Sequence, residues 1–244
     1  MSVISISLRG RDYPALGPLA LARLPDGGAL AISRGALPKA YRHVDPNEDT
    51  ALLVRTRTGT LIAVADGFNG TRAAEMTLDA VGEVAPDLIM ESGDRFAERI
   101  ESLIAEISHR LGRAGRSRTC LALAVAYRGQ CAWASFGDSM LFRSSRVEPI
   151  STENDLVLGP RMRPLGRASA RWTGSFKLAE NERIAAMSDG VSNFIHDPTT
   201  IHRILAEAPD DVHAARTLCQ VAMRGGAGDN LAVATVVPAL PAPS

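Results

Sequence analysis

The sequence predicts an α+β fold, because its strand patterns come in consecutive groups and its helical patterns come in pairs between those groups. Two short apolar runs at 51–56 and 60–65 lie side by side in the chain, and two helical patterns follow before the next strand. A doubly wound parallel sheet needs a helix after nearly every strand. The observed order therefore favours antiparallel sheets with helices packed outside them.

The first half of the chain gives the clearest elements. Residues 51–56 and 60–65 are predicted strands joined by a turn at Thr58-Gly59, and a helix is expected over about 72–84. A second helix should begin after Asp94, a residue type favoured at helix N-caps. Its apolar residues recur at helical spacing, which predicts one buried face: Phe96, Ile100, Leu103, Ile104, Ile107 and Leu111.

The second half continues with strands and another helix pair. We predict strands at 119–127, 131–136 and 140–143, the first two joined by a hairpin turn at Arg128-Gly129. Further strands are expected at 173–179, 183–188 and 231–237, with helices at 199–207 and 211–223. We expect one domain over 1–237 and a flexible tail at 238–244.

The composition excludes several classes of function. Lys+Arg and Asp+Glu both total 27, so the formal net charge is +0, which argues against nucleic acid as the main partner. Lys39 and Lys177 are the two lysines, and neither follows a glycine, which excludes a Walker-type phosphate loop. The excess of arginine over lysine is best explained by genome bias.

Cysteine usage and hydropathy predict a cytoplasmic location. The three cysteines, Cys120, Cys131 and Cys219, are odd in number and far apart, which is typical of buried thiols in a reducing compartment. The N-terminus lacks a signal-peptide pattern, and no run of about 18 apolar residues predicts a membrane span. We therefore expect no membrane partner.

Acidic residues stand at the ends of five predicted strands. Asp66-Gly67 and Asp189-Gly190 each follow an apolar strand, and Asp138 follows a third. Glu48-Asp49 and Asp229 each precede one. An unpaired carboxylate on such a partly buried platform requires a cation or strong donors.

These acids would form an oxygen-only site if they met at one edge. Mg²⁺ and Mn²⁺ prefer such ligands, and no His or Cys cluster suggests a softer metal. The glycines after Asp66 and Asp189 would allow close approach of the backbone, and the Gly67 carbonyl could be a ligand. Ordinary turn chemistry explains any single Asp-Gly pair equally well, and the residues alone leave both interpretations open.

The ordered set of motifs resembles the metal-dependent PP2C or PPM protein phosphatases. The resemblance covers about 30–237 and rests on six segments in the order the family has them. They are Asn47-Glu48-Asp49, VADGFNGTRAAEMT at 64–77, Arg118-Thr119-Cys120, FGDSMLFR at 136–143, MSDGVSNFI at 187–195 and GAGDNLAVATVV at 226–237.

The resemblance implies a fold and a site. The fold would be a central β-sandwich of two antiparallel sheets flanked by pairs of α-helices. Two Mn²⁺ or Mg²⁺ ions would be bridged by Asp66, with Asp189 and Asp229 completing one coordination sphere and the Gly67 carbonyl in the other. Glu48 and Asp49 would bind the metal or its waters, and Asp138 could help to hold a weaker third ion. The catalytic set, Asp66, Asp189 and Asp229, would hold the attacking water.

Three segments depart from the family pattern. Val44 stands where many members have an arginine for substrate phosphate, so Arg42 or His43 is the candidate substitute. Asn69 and Thr71 alter the turn after the first Asp-Gly. The segment 151–171, where the family has a flap, is short. Its arginines could grip an acidic substrate or form a solvated loop: Arg161, Arg163, Arg167 and Arg171.

The resemblance implies hydrolysis of phosphoserine and phosphothreonine in proteins, in opposition to a Ser/Thr kinase and in a bacterial signalling setting. Two alternatives stay open. The chain could be a pseudophosphatase that acts as a binding module, or a metal-dependent hydrolase of a non-protein phosphoester. The sequence does not indicate an oligomeric state.

Overall fold

The computed structural model describes residues 3–40, 43–91, 95–112, 115–160 and 171–239. Across these ranges the chain forms eleven β-strands and five α-helices. The strands are β1 Val3–Arg9, β2 Ala20–Arg23, β3 Ala29–Ser33, β4 Thr50–Thr56, β5 Gly59–Phe68, β6 Arg118–Tyr127, β7 Gln130–Phe136, β8 Met140–Arg143, β9 Thr173–Lys177, β10 Ile184–Met187 and β11 Leu231–Val236. The helices are α1 Arg72–Met90, α2 Phe96–Leu111, α3 Asp189–Ser192, α4 Pro198–Glu207 and α5 Asp211–Arg224.

Two antiparallel sheets pack face to face. The first has the strand order β1-β4-β5-β6-β7-β9, and the second has the order β2-β3-β11-β10-β8. One apolar core lies between the sheets. A second core joins the first sheet to α1 and α2, and a third joins the second sheet to α3, α4 and α5. The predicted α+β class, with antiparallel sheets flanked by helices, is confirmed.

The central strand β6 shows how alternation in the sequence produces these layers. In β6, Leu121, Leu123 and Val125 pack toward the helix pair. The intervening alanines, Ala122, Ala124 and Ala126, pack toward the other sheet. Successive side chains of a strand point to opposite faces, so the large residues meet helices while the alanines let the second sheet approach.

Several element boundaries differ from the sequence prediction. The strands β1, β2 and β3 were not predicted, although VISISLR in β1 alternates between apolar and polar residues. Helix α1 continues through Pro86 to Met90 because its inner face stays apolar up to Ile89. Asp94 lies outside the described residues, and Arg95 occupies the cap position of α2 without a side-chain cap.

The turns and the hydropathy of the helices complete the fold. The predicted hairpin turn is present, with positive φ at Arg128 and Gly129. The first hairpin turns at Arg57 and Thr58 instead, because Gly59 already pairs with Tyr127 as the first residue of β5. Over the described ranges, no helix is both long enough and apolar enough to cross a membrane. The predicted tail lies mostly outside those ranges.

Candidate functional site

Strand register brings the acids of the first sheet together. Thr50, the first residue of β4, pairs with Ala65 of β5. The next residues along the two segments, Asp49 and Asp66, are therefore neighbours. Ile62 and Val64 face the other sheet. Asp66 follows them at the same period-two positions and therefore points toward the end of the inter-sheet space.

The second sheet brings its acids to the same end. Met187 pairs with both Met140 and Val233, so Asp189 leaves β10 between the turn that holds Asp138 and the start of β11. A Cβ on Gly190 would lie 2.0 Å from the Asn230 carbonyl oxygen. Likewise, a Cβ on Gly67 would lie 2.4 Å from the Glu48 carbonyl oxygen. Both glycines are therefore required for close backbone approach, as the sequence indicated.

Lys39 lies inside this cluster. Its Nζ atom is 3.3 Å from Glu48 Oε2 and 3.2 Å from Asp229 Oδ1, and its side chain is 2% exposed. We call Lys39, Glu48 and Asp229 the lysine side of the site. Sequence reasoning did not select Lys39, because neither its position nor its neighbours match a motif.

The second oxygen of Glu48 holds the neighbouring turn. Glu48 Oε1 accepts a hydrogen bond of 2.6 Å from the Gly70 amide, and the Val44 and Asp45 amides lie at 3.4 Å. The turn itself has φ of 60° at Asn69 and 107° at Gly70. Asparagine tolerates this left-handed conformation, so the turn forms despite its departure from the family pattern.

Asp66, Asp189 and Asp138 form the other half of the cluster, which we call the aspartate side. Burial raises the pKa of Asp66 well above its usual value, and the charges of Asp49 and Asp189 raise it further. Burial also raises the pKa of Asp189 to about 6, although the hydrogen bond with Asp66 opposes that shift. Burial and the neighbouring carboxylates therefore favour the protonated form of Asp66 while no cation is present.

Asp49 lies between the two sides. Burial raises its pKa to about 7, Lys39 lowers it, and Asp229 and Asp189 raise it. Ser188 is close enough to lower the pKa as well, but neither oxygen of Asp49 accepts a hydrogen bond of normal geometry. A buried carboxylate whose oxygens both lack a donor requires a cation or a proton.

Two buried polar residues hold these acids in place. Asn230 accepts the Glu48 amide at 2.9 Å and donates to the carbonyls of Pro46 at 3.0 Å and Arg34 at 3.2 Å. Thr119 Oγ1 donates to the Asp66 carbonyl at 2.8 Å. Both residues lie in motifs quoted from the sequence, but their positioning roles depend on contacts that the sequence does not reveal.

The donor set fits a hard cation in its chemistry. Asp138 Oδ1 and both oxygens of Asp49 are buried without a hydrogen-bond partner. Mg²⁺ and Mn²⁺ bind such carboxylate oxygens. In the part of the chain that the structure describes, however, no three acidic, histidine or cysteine side chains surround one point as ligands of a single ion. Lys39 supplies positive charge to Glu48 and Asp229, and burial favours the protonated form of Asp66.

Of the two predicted phosphate-binding residues, His43 lies within the described ranges. Arg42 lies outside the described residues, as do Arg161, Arg163 and Arg167 of the short segment. His43 is partly buried, and the neighbouring Val44 is 69% exposed at the position where an arginine was expected. Arg171 lies over the Trp133 ring and donates to the Thr173 carbonyl, which favours a structural role for that arginine.

The cysteines do not contribute to this site as nucleophiles. Cys120, Cys131 and Cys219 are buried and unpaired with one another, which confirms the predicted structural thiols. Burial raises the pKa of all three thiols, so they stay protonated near neutral pH.

A cavity of about 290 Å³ opens beside Asp138. Its polar lining includes Glu153, Asn193 and His196, and Met140, Phe142 and Ile201 contribute its apolar walls. Asn193 also donates to Asp189 Oδ2 at 3.2 Å, so the cavity borders the aspartate side directly.

Several bacterial phosphatases of solved structure have a similar arrangement of sheets and helices. The catalytic domain of the serine/threonine phosphatase PstP, solved with two manganese ions, has a TM-score of 0.67 and 21% identity, with 91% of this chain and 99% of that one covered. PstP is a protein of Mycobacterium tuberculosis. This chain has the PP2C-like fold.

Two further structures support the same fold. PppA, a regulatory component of the type VI secretion system in Pseudomonas aeruginosa, gives a TM-score of 0.65 at 17% identity, covering 92% of this chain and 99% of that one. The PPM phosphatase MsPP of Mycobacterium smegmatis, in complex with cacodylate, gives 0.61 at 21% identity, covering 88% and 99%. No family model and no curated protein sequence matches the chain.

Proposed function

We propose that this chain is a metal-dependent phosphatase that hydrolyses phosphoserine and phosphothreonine in proteins. One observation carries the proposal: six acidic side chains meet at one end of a PP2C-like sandwich, and several of their buried oxygens lack a partner. The phosphatases of the same fold, PstP and MsPP, support the reaction class. The two manganese ions in the PstP structure support a binuclear centre.

Each acid has a proposed place in that centre. Asp66, Asp189, Asp229 and the Gly67 carbonyl would hold the metal ions. Glu48 and Asp49 would bind the ions or their waters, and Asp138 would hold a weaker third ion. When bound, Mn²⁺ or Mg²⁺ would supply the positive charge that makes a water molecule nucleophilic and offsets the charge of the phosphoryl oxygens.

The chain itself controls protons at this centre. Asp66, Asp189 and Asp49 have raised pKa values, chiefly because they are buried, so each binds a proton more readily than an exposed carboxyl does while no dication is present. Loading the centre would release those protons, because carboxylates must be ionised to act as ligands. We therefore expect metal affinity to rise with pH.

The cavity beside Asp138 would receive substrate groups that flank the phosphate. Glu153 and His196 provide polar contacts there, and Phe142 and Ile201 provide an apolar wall. His43, together with Arg42, is the proposed phosphate contact in place of an arginine at Val44. The physiological substrate would be a phosphoprotein modified by a Ser/Thr kinase, and the bacterial origin of the phosphatases with this fold supports a cytoplasmic signalling role.

The test is turnover of an aryl phosphate and of a phosphothreonine peptide with and without Mn²⁺. The expected result is metal-stimulated hydrolysis of both substrates by the wild type and its loss in Asp189→Asn. Asp87→Asn is the matched control, because that aspartate is 57% exposed on α1. The proposal is wrong if Mn²⁺ stimulates no turnover or if Asp189→Asn keeps full activity.

A second candidate, a pseudophosphatase that acts as a binding module, is favoured by Lys39. Its ammonium already contacts two proposed ligand residues, Glu48 and Asp229. Such a module would bind no Mn²⁺ tightly in an Asp66-dependent way, which calorimetric titration would show. A hydrolase of small phosphoesters is distinguished instead by comparing rates on phosphopeptides and on phosphorylated metabolites.

A further inference from the structure

Lys39 sits where positive charge from a bound cation would be expected. Its Nζ lies 3.3 Å from Glu48 Oε2 and 3.2 Å from Asp229 Oδ1. The side chains of Lys39 and Glu48 are 2% and 0% exposed. Burial of an ammonium group costs free energy unless carboxylates surround it. This contact is therefore a buried ion pair that the fold positions, not a surface ion pair.

The residue type matters as much as the position. Lys+Arg totals 27 in this chain, and Lys39 is one of two lysines, so arginine serves at nearly every other basic position. Arginine presents a planar fork, whereas lysine presents a compact point charge on a flexible stem. The ammonium group of lysine, placed between two carboxylates, resembles a bound metal ion in its compact positive charge.

We propose that Lys39 is an internal cation that takes the place of one dication on the lysine side, so that the chain binds a single Mn²⁺ or Mg²⁺ tightly on the aspartate side. The inference rests on the proposed function for the existence of a metal centre. It departs from the two-ion form of that proposal, because it assigns the number of tightly bound ions to a residue outside the six acids.

Charge balance supports this division. Lys39 already offsets one of the two charges of Glu48 and Asp229, so these two carboxylates offer a dication one net negative charge instead of two. On the aspartate side, Asp138 Oδ1 is buried without a hydrogen-bond partner and suits a dication.

The first experiment counts bound ions without reference to activity. Calorimetric titration with Mn²⁺ and metal analysis after dialysis are expected to give about one ion per wild-type chain and about two per Lys39→Met chain. Lys177→Met is the matched control, because Lys177 is exposed on β9, and it should match the wild type. Two ions bound equally tightly in the wild type, or an unchanged count in Lys39→Met, would overturn the inference.

A second experiment observes Lys39 in the wild type and so does not depend on the folding of a Lys39 variant. Lysine labelled with ¹³C gives one side-chain signal set for Lys39 and one for Lys177, which Lys177→Met assigns. On saturation with diamagnetic Mg²⁺, the Lys39 signals should keep a position distinct from free lysine. Movement to the free-lysine position would show that Mg²⁺ displaces the ammonium and would refute the internal cation.

The outcomes separate this inference from the proposed function. Metal-stimulated turnover together with two tight ions in the wild type would sustain the phosphatase and refute the role of Lys39. One tight ion without phosphatase turnover would sustain the role of Lys39 and refute the phosphatase. Absence of Mn²⁺ binding to both the wild type and Lys39→Met would refute both.

Discussion

The lysine side and the aspartate side bury the same chemical group but balance its charge differently. On the lysine side, Glu48 and Asp229 share the ammonium of Lys39. On the aspartate side, burial favours the protonated form of Asp66, and an oxygen of Asp138 has no hydrogen-bond partner. A tethered cation persists at any pH at which the lysine is charged, whereas a carboxyl proton exchanges with solvent. The difference teaches that buried carboxylates can be balanced either by a fixed cation or by exchangeable protons.

Removal of a carboxylate from the aspartate side should have the largest effect. Asp66→Asn is expected to lower metal-stimulated turnover by at least about 1,000-fold, a loss typical of removing a group that organises transition-state charge. Steady-state rates on a phosphothreonine peptide, with Asp87→Asn as the exposed control, would measure it. Turnover within tenfold of the wild type would show that the aspartate side does not hold the reactive centre.

The next largest effect should come from loosening the lysine side. Asn230→Ala removes three hydrogen bonds that tie Glu48, Pro46 and Arg34 together, so the free energy of unfolding should fall by about 3 kcal/mol. Denaturant unfolding would measure the loss. Asn193→Ala, which removes a single partly exposed bond to Asp189, should cost less than about 1 kcal/mol and serves as the counterpart on the aspartate side. Equal losses would mean that the two sides are held with equal rigidity.

The stability of the metal-free protein should depend on pH, because its buried aspartates bind protons more readily in the folded state than in the unfolded state. The pKa of Asp49 is raised to about 7 and that of Asp189 to about 6, so between pH 4 and 7 the folded state holds more protons than the unfolded state. Stability should therefore fall as pH rises through this window.

Unfolding midpoints measured with a chelator present would test this dependence, and Asp49→Asn should flatten it. A stability that rises from pH 4 to 7 in the wild type, with the same slope in Asp49→Asn, would contradict the assignment of these protons.

The smallest effect should come from the backbone support of Asp66. Thr119→Val removes the hydroxyl that donates to the Asp66 carbonyl at 2.8 Å, and it should lower the free energy of unfolding by about 1 kcal/mol. Thr58→Val is the control, because Thr58 is exposed in the turn between β4 and β5. A larger fall in Mn²⁺ affinity than in stability would show that Thr119 positions Asp66 as well as stabilising the strand.

The sequence determined most of the fold because alternation and helical spacing are local signals. The apolar rows of β5, β6 and α2 were each predicted, and each packs as its periodicity indicated. Strand β3 escaped prediction because it is buried throughout and shows no alternation, whereas β1 was missed although it alternates. Helix α1 extends past its predicted end because its apolar face continues to Ile89 and packs in the core.

The sequence also predicted the acids of the proposed site, because Asp66, Asp138, Asp189 and Asp229 stand beside apolar runs in a recognisable order. Only the tertiary structure decided how their charge is balanced. Lys39 reaches Glu48 across nine residues and Asp229 across most of the chain. Asn230 likewise joins residues from both halves of the sequence. Such contacts depend on strand pairing and loop path, which bring together residues that no local pattern connects.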